Sequence, residues 1–162
     1  MVHGQWLKRW QILPPSGTTS NSTGHFPIGA ILGIEQATES RIICERAFGF
    51  ACRTVKLCER LWARGPAARK IADQLFDSGT SIGAKANTAE SQGGQTKPDF
   101  VAKLAIARKE SWETIFWLQL AIAMSVTTKD EVAWELDKAQ QLKAMITAAI
   151  KTGQSSNWRG GL

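Results

Sequence analysis

The chain has 162 residues with 43% apolar content and a net charge of +6, enough for one ordinary domain and too little for two well-buried cores. This composition excludes a wholly disordered protein. With two histidines, no tyrosine and three cysteines, the side chains that most often move protons or hold metals near neutral pH are scarce, which argues for binding before catalysis.

Residues 1 to 37 differ from the rest, holding both histidines, three prolines and the polar run Ser16 to Gly24. Such a run buries too little surface to offset its ordering entropy, so this segment reads as a flexible N-terminal extension. No apolar stretch approaches the ~20 residues needed to span a bilayer. Met1 to Pro15 lacks the apolar core of a secretory signal, and a cytoplasmic protein is expected.

From Thr38 the pattern turns helical, and breaks at Gly65-Pro66, Gly93-Gly94 and Val126 to Thr128 divide it into four helices. The first is predicted over 38–64, where Ile43, Ala47, Phe50, Thr54, Leu57 and Leu61 recur at alternating four-three spacing and form one inward stripe. Gly65 then supplies a stop and Pro66 an N1 residue. The second helix, 66–91, carries Ile71, Leu75, Ser78 and Ile82. Its Ala68, Ala72, Gly79 and Gly83 should let a neighbouring backbone approach closely.

The third helix opens at Thr96, which forms a capping pattern with Asp99, and runs to Ser125 with Pro98 in its first turn. Phe100, Leu104, Ala107, Ser111, Ile115, Leu118 and Ile122 make its core stripe. Trp112, Phe116, Trp117 and Leu120 lie largely outside that stripe, and a surplus apolar face of this kind predicts an oligomer interface. The fourth helix starts at Thr128, three residues before Glu131 as in a capping box, and carries Val132, Leu136, Ala139, Leu142 and Ile146 to Lys151. Gly153 closes it, and 153–162 read as a polar tail. Long helices joined by short loops give an all-α fold, an antiparallel up-down-up-down four-helix bundle over 38–152.

The sharpest charge signal lies between Arg41 and Lys70, where eight basic residues stand against Glu45 and Glu59. Arg46, Arg53 and Arg60 recur every seven residues along ~21 Å of one side, with Lys56 and Arg64 beside them. A phosphate backbone meets such a stripe favourably by releasing counterions. The competing reading is a solvated face with ordinary ion pairs.

Catalytic constellations are sparse. His3 and His25 fall in the extension, and Cys44, Cys52 and Cys58 lack the CxxC spacing or neighbouring histidine of a zinc site, so no metal, cofactor or catalytic residue is assigned and the thiols read as reduced. Glu110 and Glu113 stand three apart, but the histidines of a di-iron bundle are missing.

The segment Gln74 to Ala84, followed by Asn87 to Glu90, Lys97 to Phe100, Ile106-Ala107, Glu113-Thr114 and Trp117-Leu118, resembles the rRNA intervening-sequence protein family of four-helix bundles. Relatives of that family include the accessory variability determinant of diversity-generating retroelements. Ser81, Ile82, Asn87, Glu90, Thr96, Asp99 and Phe100 match the family hallmark one by one, and with Ser78 they are expected to be structural. Three departures stand out. Lys85-Ala86 reads as a two-residue insertion that turns the following helix face by about 200°. Asp77 replaces a usual arginine, and Trp112 stands where a smaller or basic residue is common.

The resemblance implies a homopentamer without catalytic activity and, in the retroelement branch, nucleic-acid binding beside a reverse transcriptase. With the basic stripe it gives the expected function, a non-enzymatic oligomeric bundle that binds nucleic acid, RNA above all, through Arg46, Arg53, Lys56, Arg60 and Arg64. The alternative is a protein-interaction scaffold that binds no nucleic acid.

Overall fold

The structure, a computed structural model, describes residues 28–91 and 96–155, with side chains over 41–87 and 96–155. Four helices span them: α1 (Ile28–Trp62), α2 (Pro66–Ser91), α3 (Lys97–Ala123) and α4 (Ala133–Gln154), the last preceded by a 3-10 turn at Asp130–Val132. Each helix packs on the next, and α4 returns to α1. This is the antiparallel four-helix bundle that the sequence predicts, and the described residues include no strand.

The helix boundaries show which local signals carry weight. Gly65, at φ 117°, turns the chain out of α1, and Pro66 opens α2 as expected. At the 3-10 turn that leads into α4 the capping box forms reciprocally. The Thr128 N–H donates to Glu131 Oε2 at 3.0 Å, and the Glu131 N–H to Thr128 Oγ1 at 3.3 Å. The capping pattern at Thr96 does not form: its side chain makes no cap bond, and the Asp99 carboxylate instead meets Lys103 at 3.5 Å, one turn on.

Several boundaries differ from expectation: the third helix ends at Ala123 rather than Ser125, and the fourth begins at Ala133, after the 3-10 turn, rather than at Thr128. α1 begins at Ile28 rather than Thr38, directly after Pro27 in the sequence. Gly29 and Gly33 lower helix propensity there, yet adding residues to an existing helix costs far less than nucleating one. The remainder of the expected extension, residues 1–27, and most of the expected tail lie outside the described residues. Gly153 does not close α4, which continues to Gln154. It is buried where a Cβ would stand 3.0 Å from Val101 Cγ2, so its lack of a side chain admits α3.

The core divides into two apolar clusters. One contains Ala47, Phe50, Ile82, Ala107, Ile115, Ala139 and Leu142; the other contains Leu57, Leu61, Leu75, Leu118 and Val132. Between them every helix contributes a buried polar residue: Thr54 from α1, Ser78 from α2, Ser111 and Thr114 from α3, and Glu135 from α4. Most of these hydroxyls turn back on their own helices. Thr54 donates to Phe50 O at 3.1 Å, Ser78 to Gln74 O at 2.8 Å and Ser111 to Ala107 O at 2.8 Å. Thr114 Oγ1 lies 2.8 Å from Glu110 O and 3.1 Å from Ser78 Oγ, joining α3 to α2. Gly79 and Gly83 bring α2 close to α1, as the sequence suggests: a Cβ on Gly83 would sit 3.1 Å from Ala47 O.

The hallmark residues differ in burial. Ser78 and Ile82 are buried, and Ser81 is half-buried. α2 runs on as an unbroken helix through Lys85-Ala86. Ala86 points inward and its carbonyl accepts from the Cys44 thiol at 3.4 Å, whereas Asn87 is exposed and donates to Gly83 O in its own helix. Asp99 and Phe100 are half-buried at the start of α3, and Thr96 is exposed. The Glu90 side chain lies outside the described residues.

Candidate nucleic-acid interface

The arginine stripe of α1 lies on one side of the helix, but the bundle uses part of it internally. Arg53 Nη2 lies 3.3 Å from Glu135 Oε1, with its guanidinium 4.4 Å over the Trp134 ring. Arg64 grips Glu131 through two bonds of 2.7 and 2.9 Å and donates to the Val126 carbonyl at 2.9 Å. Arg46 Nη1 reaches Met145 Sδ at 3.5 Å. Lys56 and Arg60 are exposed, and Arg60 donates to the Lys56 carbonyl. The expected row of five solvent-facing cations is therefore corrected: Lys56, Arg60 and Arg64 are exposed, Arg64 within an ion pair, whereas Arg46 and Arg53 are half-buried against α4. Two partners, Glu131 and Glu135, come from the far end of the chain, beyond the reach of any local pattern.

These contacts set the local electrostatics. Glu131 is held well below the usual carboxylate range, first by Arg64, then by the Thr127 hydroxyl and the Thr128 N–H. Glu135 is buried, and its second carboxylate oxygen has no hydrogen-bond partner. The carboxyl of Glu110 is pushed up, mainly by burial and then by Glu113. The thiols are all free; Cys44 and Cys58 are buried and Cys52 is exposed. Burial, reinforced by Asp73, pushes the Cys58 thiol up to about 12, which leaves it unreactive.

The four expected interface residues split into two pairs. Trp112 and Phe116, one turn apart on α3, face outward, 59% and 54% exposed, and Ile106 is exposed elsewhere on the same helix at 42%. Trp117 and Leu120 are half-buried and pack against the core cluster that contains Leu118. Trp117 presents its ring to the edge of Phe116, 5.0 Å between centroids. The reason is that α3 carries apolar residues nearly all round, and periodicity alone does not separate its inner and outer sets.

A second basic site emerges that the sequence reading missed. Ala105, Arg108, Lys109 and Trp112 of α3 and Lys143 and Thr147 of α4 line an open groove of about 450 Å³. Lys143 Nζ stands 3.6 Å from the centroid of the Trp112 ring. None of these six described residues carries a carboxylate. Arg108-Lys109 followed by Trp112 at helical spacing was a legible local signal; the contribution of Lys143 from another helix was not. The arrangement presents three cations and an accessible aromatic ring, the pairing that single-stranded nucleic acids use.

Among the described residues, no group of three or more His, Cys, Asp or Glu is placed to hold a metal ion, and no helix is long and apolar enough to cross a membrane. No curated protein matches the sequence. Among solved structures, the chain is similar to a protein of unknown function from the S23 ribosomal protein family of Bacteroides thetaiotaomicron. The two share 31% identity and a TM-score of 0.63 over 70% of this chain and 99% of that one. The family model described as 23S rRNA-intervening sequence protein matches residues 39–148, which span the described side chains of α1 and most of α4. On this match and the shared bundle, the chain belongs to the 23S rRNA-intervening sequence protein family.

Proposed function

We propose that the protein is a non-enzymatic bundle that binds RNA through phosphate contacts in the groove between α3 and α4. The observation that carries this reading is the convergence of Arg108, Lys109 and Lys143 around the exposed Trp112 ring, with no acidic residue lining the groove. RNA is taken as the polyanion because the family description names 23S rRNA. Lys56 and Arg60 form a smaller accessory surface on α1.

Filter binding of an RNA with paired and unpaired segments tests the proposal. Three phosphate contacts imply an affinity that falls roughly 20- to 40-fold between about 50 and about 200 mM salt. The Arg108→Ala/Lys109→Ala/Lys143→Ala variant should lose most of the binding, and Lys56→Ala/Arg60→Ala little. Absence of binding at low salt overturns the proposal. The reverse ranking of the two variants moves the site to α1.

A second reading, self-assembly, is favoured by Phe116 and Ile106, which are both exposed on α3, because large apolar side chains on a helix surface are more stable covered than wet. Light scattering after size exclusion should show an oligomer, five copies being the number the resemblance implies. Ile106→Ser/Phe116→Ser should shift it towards the monomer. A monomer at all concentrations removes this reading.

A further inference from the structure

We propose that Trp112 is a stacking platform for an unpaired nucleobase, so that the α3–α4 groove selects single-stranded over duplex nucleic acid. The inference rests on the RNA-binding reading and adds the substrate class. It starts from the state of the ring: Trp112 stays 59% exposed although Lys143 already covers part of it at 3.6 Å. A base can therefore reach the indole while the ammonium remains in the groove to meet a flanking phosphate.

Duplex and single strand offer different chemistry to this site. In a duplex the π-faces of the bases are stacked on one another, so phosphates, sugars and base edges reach the surface but ring faces do not. An unpaired strand offers the same phosphates to Arg108, Lys109 and Lys143, together with a ring face to Trp112. The groove is open at the surface, and its volume of about 450 Å³ falls within the ~300–1,000 Å³ typical of sites for small organic groups. Ala105 on the same stretch of α3 adds little bulk to the lining. The Thr147 hydroxyl donates to the Lys143 carbonyl at 2.7 Å within α4, so base recognition falls to the ring and the cations. Stacking tolerates any base, and little sequence preference is expected.

Fluorescence anisotropy with an oligouridine strand and a blunt RNA duplex of equal length tests the inference on the full chain. The native protein should prefer the single strand by about tenfold, an ordinary contribution for one stacked base. Trp112→Ala should remove that preference by weakening single-strand binding about tenfold while duplex binding stays within about twofold. Trp112→Phe should keep most of it, and Arg108→Ala/Lys109→Ala should weaken both ligands. Since Trp112 is exposed, its truncation leaves the core intact, and circular dichroism checks this.

Equal loss of both ligands in Trp112→Ala, or no loss, overturns stacking while RNA binding stands. If the native protein binds neither ligand, RNA binding itself fails and the inference with it. A change of mass by light scattering in Trp112→Ala assigns the ring to assembly, and displacement of the strand by polyglutamate at equal charge concentration assigns the groove to acidic protein segments. Either result also overturns the inference.

Discussion

A Cβ on Gly79 would stand 2.6 Å from Thr54 Cγ2, so α2 and α1 meet at this point as backbone against a methyl group. Gly79→Ala should therefore destabilise the bundle by about 1–3 kcal/mol despite the better helix propensity of alanine. Thr54→Ser deletes that methyl and keeps the hydroxyl that donates to Phe50 O. In a double-mutant cycle read by urea unfolding, the pair should cost less than the sum of the single changes. Additive costs would show that the contact is not tight.

Arg64 and Glu131 give the end of the bundle a dependence on pH. The folded state holds the Glu131 carboxyl below its ordinary 4.5, so the contribution is complete above that value and is lost as the pH falls towards the folded-state value. The pair is solvent-exposed and its effect is modest. Between about pH 5 and about pH 3 the melting temperature of Glu131→Gln should decline less steeply than that of the native chain. Parallel declines would assign the acid limb to other carboxylates.

Removing Arg53 leaves the Glu135 carboxylate buried with neither oxygen paired among the described groups. Arg53→Ala should cost about 2 kcal/mol or more, softened because the arginine side chain is itself 37% exposed. Arg53→Ala/Glu135→Leu should recover part of that loss, since the double change removes the uncompensated charge. Urea midpoints of the two variants decide the matter, and equal midpoints would mean that the charge is not what costs.

Ser125 occupies the left-handed position that ends α3, at φ 55°. Its N–H donates to Ile122 O and the Val126 N–H to Ala121 O, both at 2.9 Å, which is the Schellman closure that usually places glycine at this position. Ser125→Gly should raise stability by about 0.5–1 kcal/mol, the Cβ penalty less the added flexibility of the unfolded chain. A neutral or lower thermal midpoint would count against strain here.

The parts of this protein that are legible in its sequence are those written locally. Gly65-Pro66 and the Thr128/Glu131 pair mark helix boundaries because capping chemistry is complete within four residues. The inward stripe of α1 is legible because one face of a helix repeats. Gly153 misleads because a glycine near a helix end has two uses, a left-handed stop or room for a neighbour, and only Val101 on another helix decides between them. The arginine stripe misleads for a related reason. Arg53 and Arg64 are cations in the sequence wherever they point, and only the packing of α4 shows that Glu135 and Glu131 claim them. The α3–α4 groove needs Lys143 beside Trp112, a contact across two helices.

An even number of alternating rods returns the chain to the side from which it set out. α1 therefore opens and α4 finishes at one pole, and the two tight connections around Gly65 and Ser125 share the other. The first described residue of α1 and the last turn of α4 thus face the same way, and the opposite pole keeps its short, clasped turns.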